Sequence, residues 1–440
     1  MALLALFEDH HWRNLAPLTL TRATFDVKVG ARSYLEECLH VAAGGGNDDD
    51  DDKKKPSLLL LTRRHLQKIT EERHGGIAVN PSSIDAAGTV FVNGLVHPAA
   101  FDLRRLESVG HTFAITSGDR LLAARLGKKD AEYLAGCVAA GRQVSLKKLD
   151  VEKSTELKGG AEGGIISNLW DIIGVLENSL AVQCAAQEDG DGGGGGSGVN
   201  ATVIGAGVTA EGAEIEEGTV LDARRGPIYI GPGASIAPSR IVGPAYIGPE
   251  TQVKQFSIIE SSFIGRNCRV AGEVEHSIIS DYSNKAHAGF VGHSYVGEWV
   301  NLGAMTTTSD LKMTYGNIKM TQPAGNRKVD TGQNKVGSFF ADMCKTSIGT
   351  LVYSGRRLGP SSHLHGLVAQ DVPAFTIYGA GVGARNAELE IESAIETQKK
   401  VMPRRGQSMS KAYEQMMRDV FAMTAQDRRK AGVKRAKFAL

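Results

Sequence analysis

Tyr229-Ile230-Gly231-Pro232, Tyr246-Ile247-Gly248-Pro249, Phe263-Ile264-Gly265-Arg266 and Tyr295-Val296-Gly297-Glu298 are copies of one short pattern, and the first three recur every 17 residues. Between them lie further aliphatics about six residues apart: Ile236, Ile241 or Val242, Val253, Ile258 or Ile259, Val270 and Leu302. A branched aliphatic at every sixth residue, often with a Gly beside it, marks a hexapeptide β-helix of triangular coils. Each aliphatic is expected to point to the axis, with Gly or another small residue letting the backbone turn. One coil cannot bury its own aliphatics, whereas stacked coils share a core and ladder their backbones.

The rest of the 440 residues leaves room for other domains. Residues 1–185 alternate short apolar runs with helical patterns, as an α/β domain does. Strands are expected at 1–6, 58–61, 90–92 and 113–115, and helices at 33–43, 120–126 and 131–140. Two low-complexity runs interrupt the chain. Residues 44–55, GGNDDDDDKKKP less its last residue and preceded by a further Gly, read as a solvated surface insertion, and the Gly-rich run in 186–199 reads as a linker. The β-helix is assigned to 200–380. A helical tail, 381–440, follows, with Leu389, Ile391, Ile395 and Val401 on one helix and Tyr413, Met416, Met417, Val420 and Phe421 on another. From 401 to 440 there are ten Lys/Arg against three Asp/Glu. That charge suits either a solvated helical tail or contact with an anion such as a cofactor phosphate.

The net charge of +1 offers no general attraction to nucleic acid. Five scattered cysteines without a CxxC pair argue against a disulfide framework and for a reducing compartment. Nothing approaches transmembrane length, and the apolar start lacks a basic flank, so a cytoplasmic protein without membrane insertion is expected.

Residues 284–295, NKAHAGFVGHSY, break the hexad rhythm and are followed by EWVNLGA at 298–304 and TTTSDLK at 306–312. A polar, His-bearing stretch has no packing reason to interrupt a β-helix and reads as a site. The segment resembles the acetyltransferase domain of the bifunctional glucosamine-1-phosphate acetyltransferase/N-acetylglucosamine-1-phosphate uridyltransferases. It resembles more closely a divergent bacterial branch of that family, which carries a run that residues 283–304 follow almost unbroken. Residues 221–231, LDARRGPIYIG, are a second shared signature, and 372–375 through Arg404-Arg405 a third.

The resemblance implies a left-handed β-helix acyltransferase, usually homotrimeric, that moves an acetyl group from acetyl-CoA to glucosamine 1-phosphate or a similar amino-sugar phosphate. His287 matches the family's catalytic His, the general base. Lys254 aligns with an Arg that holds the sugar phosphate, and His276 falls near a second phosphate-side Lys. Phe290 replaces a substrate Tyr. Asn301 and Asp310 match positions that hydrogen-bond the sugar or its amine, and Lys285, Lys312 and Tyr315 stand close enough in sequence to join them. Met305 stands where the family has Gly, and Met313 where the branch has Asn.

The amino-terminal part lacks the Gly-rich phosphate loop of the main family. It carries instead FED at 7–9, RNLAPLTLTR at 13–22 and FDVKVG at 25–30, as the branch does, together with VNG at 92–94 and WDI at 170–172. The implied activity is uridylyl transfer from UTP, with Arg13, Arg22, Lys28 and Asn93 on the nucleotide and Asp119 and Asp171 on Mg2+. The alternative is a domain that no longer turns over. Two rival functions remain: a nucleotidyltransferase whose β-helix only regulates and trimerises, and a non-catalytic scaffold. His276, His287 and His293 also admit a zinc reading, because some trimeric β-helix proteins are zinc carbonic anhydrases. Those carry an H-x4-H pair, whereas the last two here are spaced H-x5-H without an obvious carboxylate.

Overall fold

The computed structural model describes residues 3–42, 58–86, 88–97, 105–106, 108–157, 164–186, 200–322 and 327–438. The insertion read at 44–55, and all of the linker read at 186–199 except Ala186, lie outside the described residues. The chain divides into two compact units, one from residues 1–15, 22–28 and 32–171, the other from 16–21, 29–31 and 172–440.

The first unit is an α/β domain on a seven-stranded sheet. In chain order its strands are β1 (Leu3–Phe7), β2 (Leu58–Leu61), β3 (Ala78–Val79), β4 (Thr89–Asn93), β5 (Phe113–Ser117), β6 (Arg120–Arg125) and β7 (Lys153–Glu156), arranged β3-β2-β1-β4-β6-β5-β7. β1 lies parallel to both β2 and β4, so the strand order reverses beside it. Such a switch point opens a crevice beyond the carboxyl ends of the strands. The helices are α1 (Tyr34–Ala42), α2 (Gln67–Arg73) and α3 (Lys128–Ala139). Ala5 and Phe7 of β1 and Phe91 of β4 share a core with Leu134, Cys137 and Val138 of α3.

One expectation fails here. Residues 120–126, read as a helix, form β6, antiparallel to β5 and β4. Ser117 pairs with Arg120, which leaves Gly118-Asp119 as a two-residue turn with Gly118 at φ +58. A Gly-led two-residue connection is a hairpin signal, and strand pairing on both sides overrides the helix-forming Leu and Ala residues.

In the second unit, three columns of parallel strands stack along one axis, forming the parallel β-helix expected of the left-handed hexapeptide class. The first column runs through Ser235–Ile236, Gln252–Val253, Arg269–Val270 and Asn284–Lys285, the second through Arg240–Val242, Ile258–Glu260, Glu273–Glu275 and Phe290–Gly292. The third carries the repeated motif: Tyr229 pairs with Tyr246, Tyr246 with Phe263, Phe263 with Ile278, and Ile278 with Tyr295. Phe263 to Ile278 is 15 residues, so this coil is two shorter than its 17-residue neighbours. That shortening explains why the fourth motif falls out of step.

The inward residues Ile236, Ile241, Val253, Ile259, Val270 and Leu302 lie in one continuous core. Val242 is buried outside that core, and Ile258 is 44% exposed. Within each strand pair only one side chain can face the axis, and the alternation chooses Ile241 and Ile259. After Tyr295–Val296 the coil closes only at Phe339–Phe340, because a hairpin of Lys319–Gln322 and Arg327–Asp330 is inserted. The five cysteines are all buried and none forms a disulfide. No helix among the described residues is long and apolar enough to cross a membrane.

The helix α4 (Leu169–Ala185) is divided between the units after Asp171. The tail forms α5 (Ile391–Val401), α6 (Lys411–Met423) and α7 (Ala425–Lys430). Ser410 caps α6 by accepting from the Tyr413 N–H at 3.0 Å. Arg428 is buried, donates to Glu388 at 2.7 Å and lies 4.1 Å over the Phe421 ring. The tail is therefore a packed cap of the second unit.

His363, in the same column as Lys345, has its imidazole pushed down to about 4 by burial and by the nearby Lys345 and His365. A histidine whose folded pKa lies below its ordinary 6.5 stabilises fully above 6.5 and loses that contribution as pH falls toward 4. The melting temperature is expected to fall across that window, and His363→Gln is expected to flatten the fall in a differential-scanning pH series.

Candidate functional site

The edge where the first column turns into the second carries His287. Four residues, 254–257, make this turn in one coil, and four, 286–289, make it two coils on; only Ala271 and Gly272 make it in the short coil between. The two longer turns therefore flank a recess floored by Ala271 and Gly272. Lys254, Gln255 and Phe256 on one side and His287 and Ala288 on the other are exposed, while Ala271 is buried. Two coil spacings separate the sides, about 10 Å.

Close packing fixes this edge. Gly289 has φ +127, and a Cβ there would lie 2.1 Å from the Thr306 carbonyl oxygen. Gly289→Ala is expected to lower stability by about 1–3 kcal/mol and disturb the His287 turn. Gly349, also at positive φ but with open space around it, should tolerate Ala better in the same denaturant titration. Met305 takes a left-handed conformation at φ +62 on the same edge and is 58% exposed, so it points outward. Met313 is 98% exposed.

Lys285 does not reach this surface. Its ammonium donates to the carbonyls of Ala271 at 2.6 Å, Gly289 at 2.7 Å and His287 at 3.2 Å, and burial pushes it down to about 8. It binds the short turn to the long one from inside. The His287 ring makes no hydrogen bond among the described residues. Phe290 and Glu273 sit side by side in the second column, Glu273 exposed and Phe290 half-buried.

A second edge, between the second and third columns, holds His276 and Asp310. His276 stacks on His293 at 4.9 Å, His293 Nδ1 meets Asp310 Oδ2 at 2.7 Å, and His276 Nε2 meets Glu177 of α4 at 3.2 Å. Burial alone would raise the Asp310 carboxyl, but its bond to His293 and the charge of that ring hold it below the usual range. His276 and Asp310 are thus gathered with each other and not with His287. Asn301 lies in the first column, where it accepts from Asn284 at 3.3 Å; Asn284 in turn accepts from Arg405 at 2.8 Å. Lys312 and Tyr315 belong to the inserted hairpin region; Lys312 donates to the Asn317 carbonyl and Tyr315 is 74% exposed.

In the first unit the carboxyl end of β1 carries Glu8-Asp9-His10-His11. Asp9 is buried and accepts from Arg120 Nε at 2.9 Å, Asn93 Nδ2 at 2.8 Å and the His11 N–H at 2.9 Å. Burial alone would raise its carboxyl, but Arg120 and His11 hold it well below the usual range. Asn93 is thereby committed to the protein interior, and Arg22 is buried too. Lys28 is tied to Glu36 at 2.6 Å. Arg13 alone of the expected nucleotide contacts is exposed; it donates to the Gly141 carbonyl at 2.8 Å and covers the Trp12 ring.

The two expected Mg2+ ligands differ in kind. Asp171 Oδ2 accepts from the N–H groups of Ser167 and Asn168, both at 2.9 Å, and so starts α4. Asp119, whose side chain is 57% exposed, lies 3.2 Å from His10 and 3.7 Å from His11. Mg2+ demands oxygen ligands, and this position offers one accessible carboxylate beside two imidazoles. These residues do not by themselves fit Mg2+. A cleft of about 690 Å³ lies at the opposite end of the sheet, lined by Asp85, His111, Arg125 and Lys128 among others. It stands away from the switch point. Sequence reasoning missed Phe256, Glu273, His10 and His11; the 15-residue coil and the Asp-His-His run directly after β1 were the available signals.

Residues 4–188 match the family model described as sugar nucleotidyl transferase. A bifunctional sugar-1-phosphate nucleotidylyltransferase/acetyltransferase of Sulfurisphaera tokodaii is 29% identical over 93 residues, 21% of this chain. The match spans 23% of that relative's length. Among solved structures, a UDP-N-acetylglucosamine acyltransferase of Arabidopsis is similar over 54% of this chain and 98% of its own, at 11% identity and a TM-score of 0.27. The corresponding enzyme of Francisella novicida is similar over 51% and 92%, at 14% identity and a TM-score of 0.19.

Proposed function

We propose that this chain is a two-part transferase of amino-sugar activation, acting as a cytoplasmic homotrimer. Its β-helix transfers acetyl from acetyl-CoA to glucosamine 1-phosphate or a similar amino-sugar phosphate. Its first unit transfers a nucleotidyl group, from UTP in the simplest case, to give a nucleotide sugar such as UDP-N-acetylglucosamine. The observation that carries the acyl half is the recess with Lys254 on one side and an exposed, unbonded imidazole, His287, on the other. The match of residues 4–188 to the sugar nucleotidyl transferase model supports the nucleotidyl half.

Lys254 pairs with the sugar phosphate as a point charge. The amine then faces His287. As nitrogen attacks the thioester carbonyl, the neutral imidazole takes its proton, the new N–C bond forms and the C–S bond breaks. The departing sulfur takes a proton and leaves as free CoA thiol, and the amide remains on the sugar. Imidazole is the side chain suited to taking up a proton near neutral pH. Glu273, on the strand leaving the recess, is placed to attract an ammonium substrate. In the first unit, Arg13 is the available cation for nucleotide phosphate.

The test is thiol release on mixing the chain with acetyl-CoA and a panel of amino-sugar phosphates. Release is expected with glucosamine 1-phosphate or a close relative. Lys254→Met is expected to raise KM for the phosphorylated acceptor about 10- to 100-fold, the worth of a charge-assisted contact, with KM for acetyl-CoA unchanged. No thiol release with any acceptor would overturn the proposal.

A further inference from the structure

We infer that Glu275, His276 and His293 bind one first-row divalent cation of the zinc type on the edge between the second and third columns. One ligand atom from each of the three lies within 4.8 Å of the others. The two imidazoles occupy equivalent positions in successive coils, and each is held by a carboxylate behind it. Glu177 takes His276 Nε2 at 3.2 Å, and Asp310 takes His293 Nδ1 at 2.7 Å. Metal-binding histidines are held in this way, since a bond to one ring nitrogen fixes the tautomer and presents the other. Here the nitrogens left over are His276 Nδ1 and His293 Nε2.

His276 Nδ1 is buried and has no hydrogen-bond partner; the Glu275 carboxylate comes only to 3.7 Å. A buried nitrogen without a partner is a cost that a cation removes. Both histidines also sit in the left-handed region, at φ +43 and +44, where a glycine would fit more easily. The local charge favours a cation as well. Glu177, Glu275 and Asp310 surround the pair; Lys335 lies 3.2 Å from Glu275, and Arg225 is shared between Glu177 and Glu260. Two imidazoles and a carboxylate suit zinc and its neighbours better than Mg2+ or Ca2+.

The rings are now parallel within 3°. An ion must lie in the plane of each imidazole it binds, so uptake requires both rings to turn about χ2, a broad torsion in histidine. The carboxylates behind them swing with that turn, and Lys335 gives way to the ion at Glu275. The site stands on a different edge from the proposed acyl recess, so either can fail without the other.

The test is a Co2+ titration of the full chain after chelator treatment, read by visible d–d absorption, with Zn2+ displacing the colour. One equivalent per chain is expected. His293→Gln should abolish the bands, and Asp310→Asn, which keeps all three ligands, should weaken affinity about 10- to 100-fold. His11→Gln should leave the bands intact, because His10, His11 and Asp119 form a separate cluster. An unchanged thermal melt shows that each variant is folded. Failure of Co2+ to saturate, or bands lost in His11→Gln and kept in His293→Gln, overturns the assignment.

Discussion

His287→Ala is expected to lower kcat for acetyl transfer by about 10²- to 10⁴-fold, the usual worth of a positioned general base. The melting temperature should not move. The ring is exposed and makes no hydrogen bond among the described residues, so truncation creates neither a cavity nor an orphaned partner. The turn itself is held by Lys285, through the carbonyls of Ala271, His287 and Gly289, and by Gly289 against Thr306. None of these contacts involves the imidazole. KM for acetyl-CoA should stay unchanged, because the base acts on the amine. His293→Ala is the informative contrast: it removes the partner of Asp310 and should leave kcat far less affected. A loss of kcat that follows His293 and not His287 would place the base on the other edge.

The largest stability effect is expected in the first unit. Glu8 is 1% exposed and accepts from Thr62 Oγ1 at 2.5 Å, the Arg63 N–H at 2.9 Å, Arg63 Nη2 at 2.9 Å and the Thr24 N–H at 3.0 Å. Arg63 is itself 3% exposed. Glu8→Ala leaves that guanidinium buried and unmatched at this end and should cost about 3–5 kcal/mol. For a unit of this size the melting temperature should drop by roughly 6–20 °C. Glu392→Ala removes an ion pair with Arg418 on the surface of the tail and should give no measurable shift. Equal small shifts in both variants would show that the buried pair does not hold the end of β1 in place.

The β-helix was legible because its signal is periodic. Each coil repeats one short rule, and Ile236, Val253 and Val270 fall where the hexad count places them. Position was less legible than identity wherever the count slips. The strand register that sets Lys285 beside Val270 turns it inside, and the two residues missing from the coil of Phe263 leave Ala271 as the floor of a recess; the uneven step from Phe263 to Tyr295 is the sequence's sign of that short coil. The resemblance places His276 and Asp310 in one site with His287. A triangular coil separates such neighbours onto different edges. In the first unit the misread helix at 120–126 shows the same limit, since Leu121, Leu122, Ala123 and Ala124 favour a helix until strands on both sides claim their backbone groups. The motifs shared with the branch imply ligand contacts at Asn93 and Arg22. Burial assigns them instead to the interior of the domain.

The most direct test of the acyl site is chemical footprinting of histidines with diethyl pyrocarbonate, read peptide by peptide, with and without acetyl-CoA and an amino-sugar phosphate. An exposed imidazole at the recess should react readily in the free protein and become protected when both substrates are bound, so His287 should show the greatest change. If His287 reacts equally in both states while His276 and His293 become protected, the acyl group is transferred elsewhere and the account of the recess is wrong.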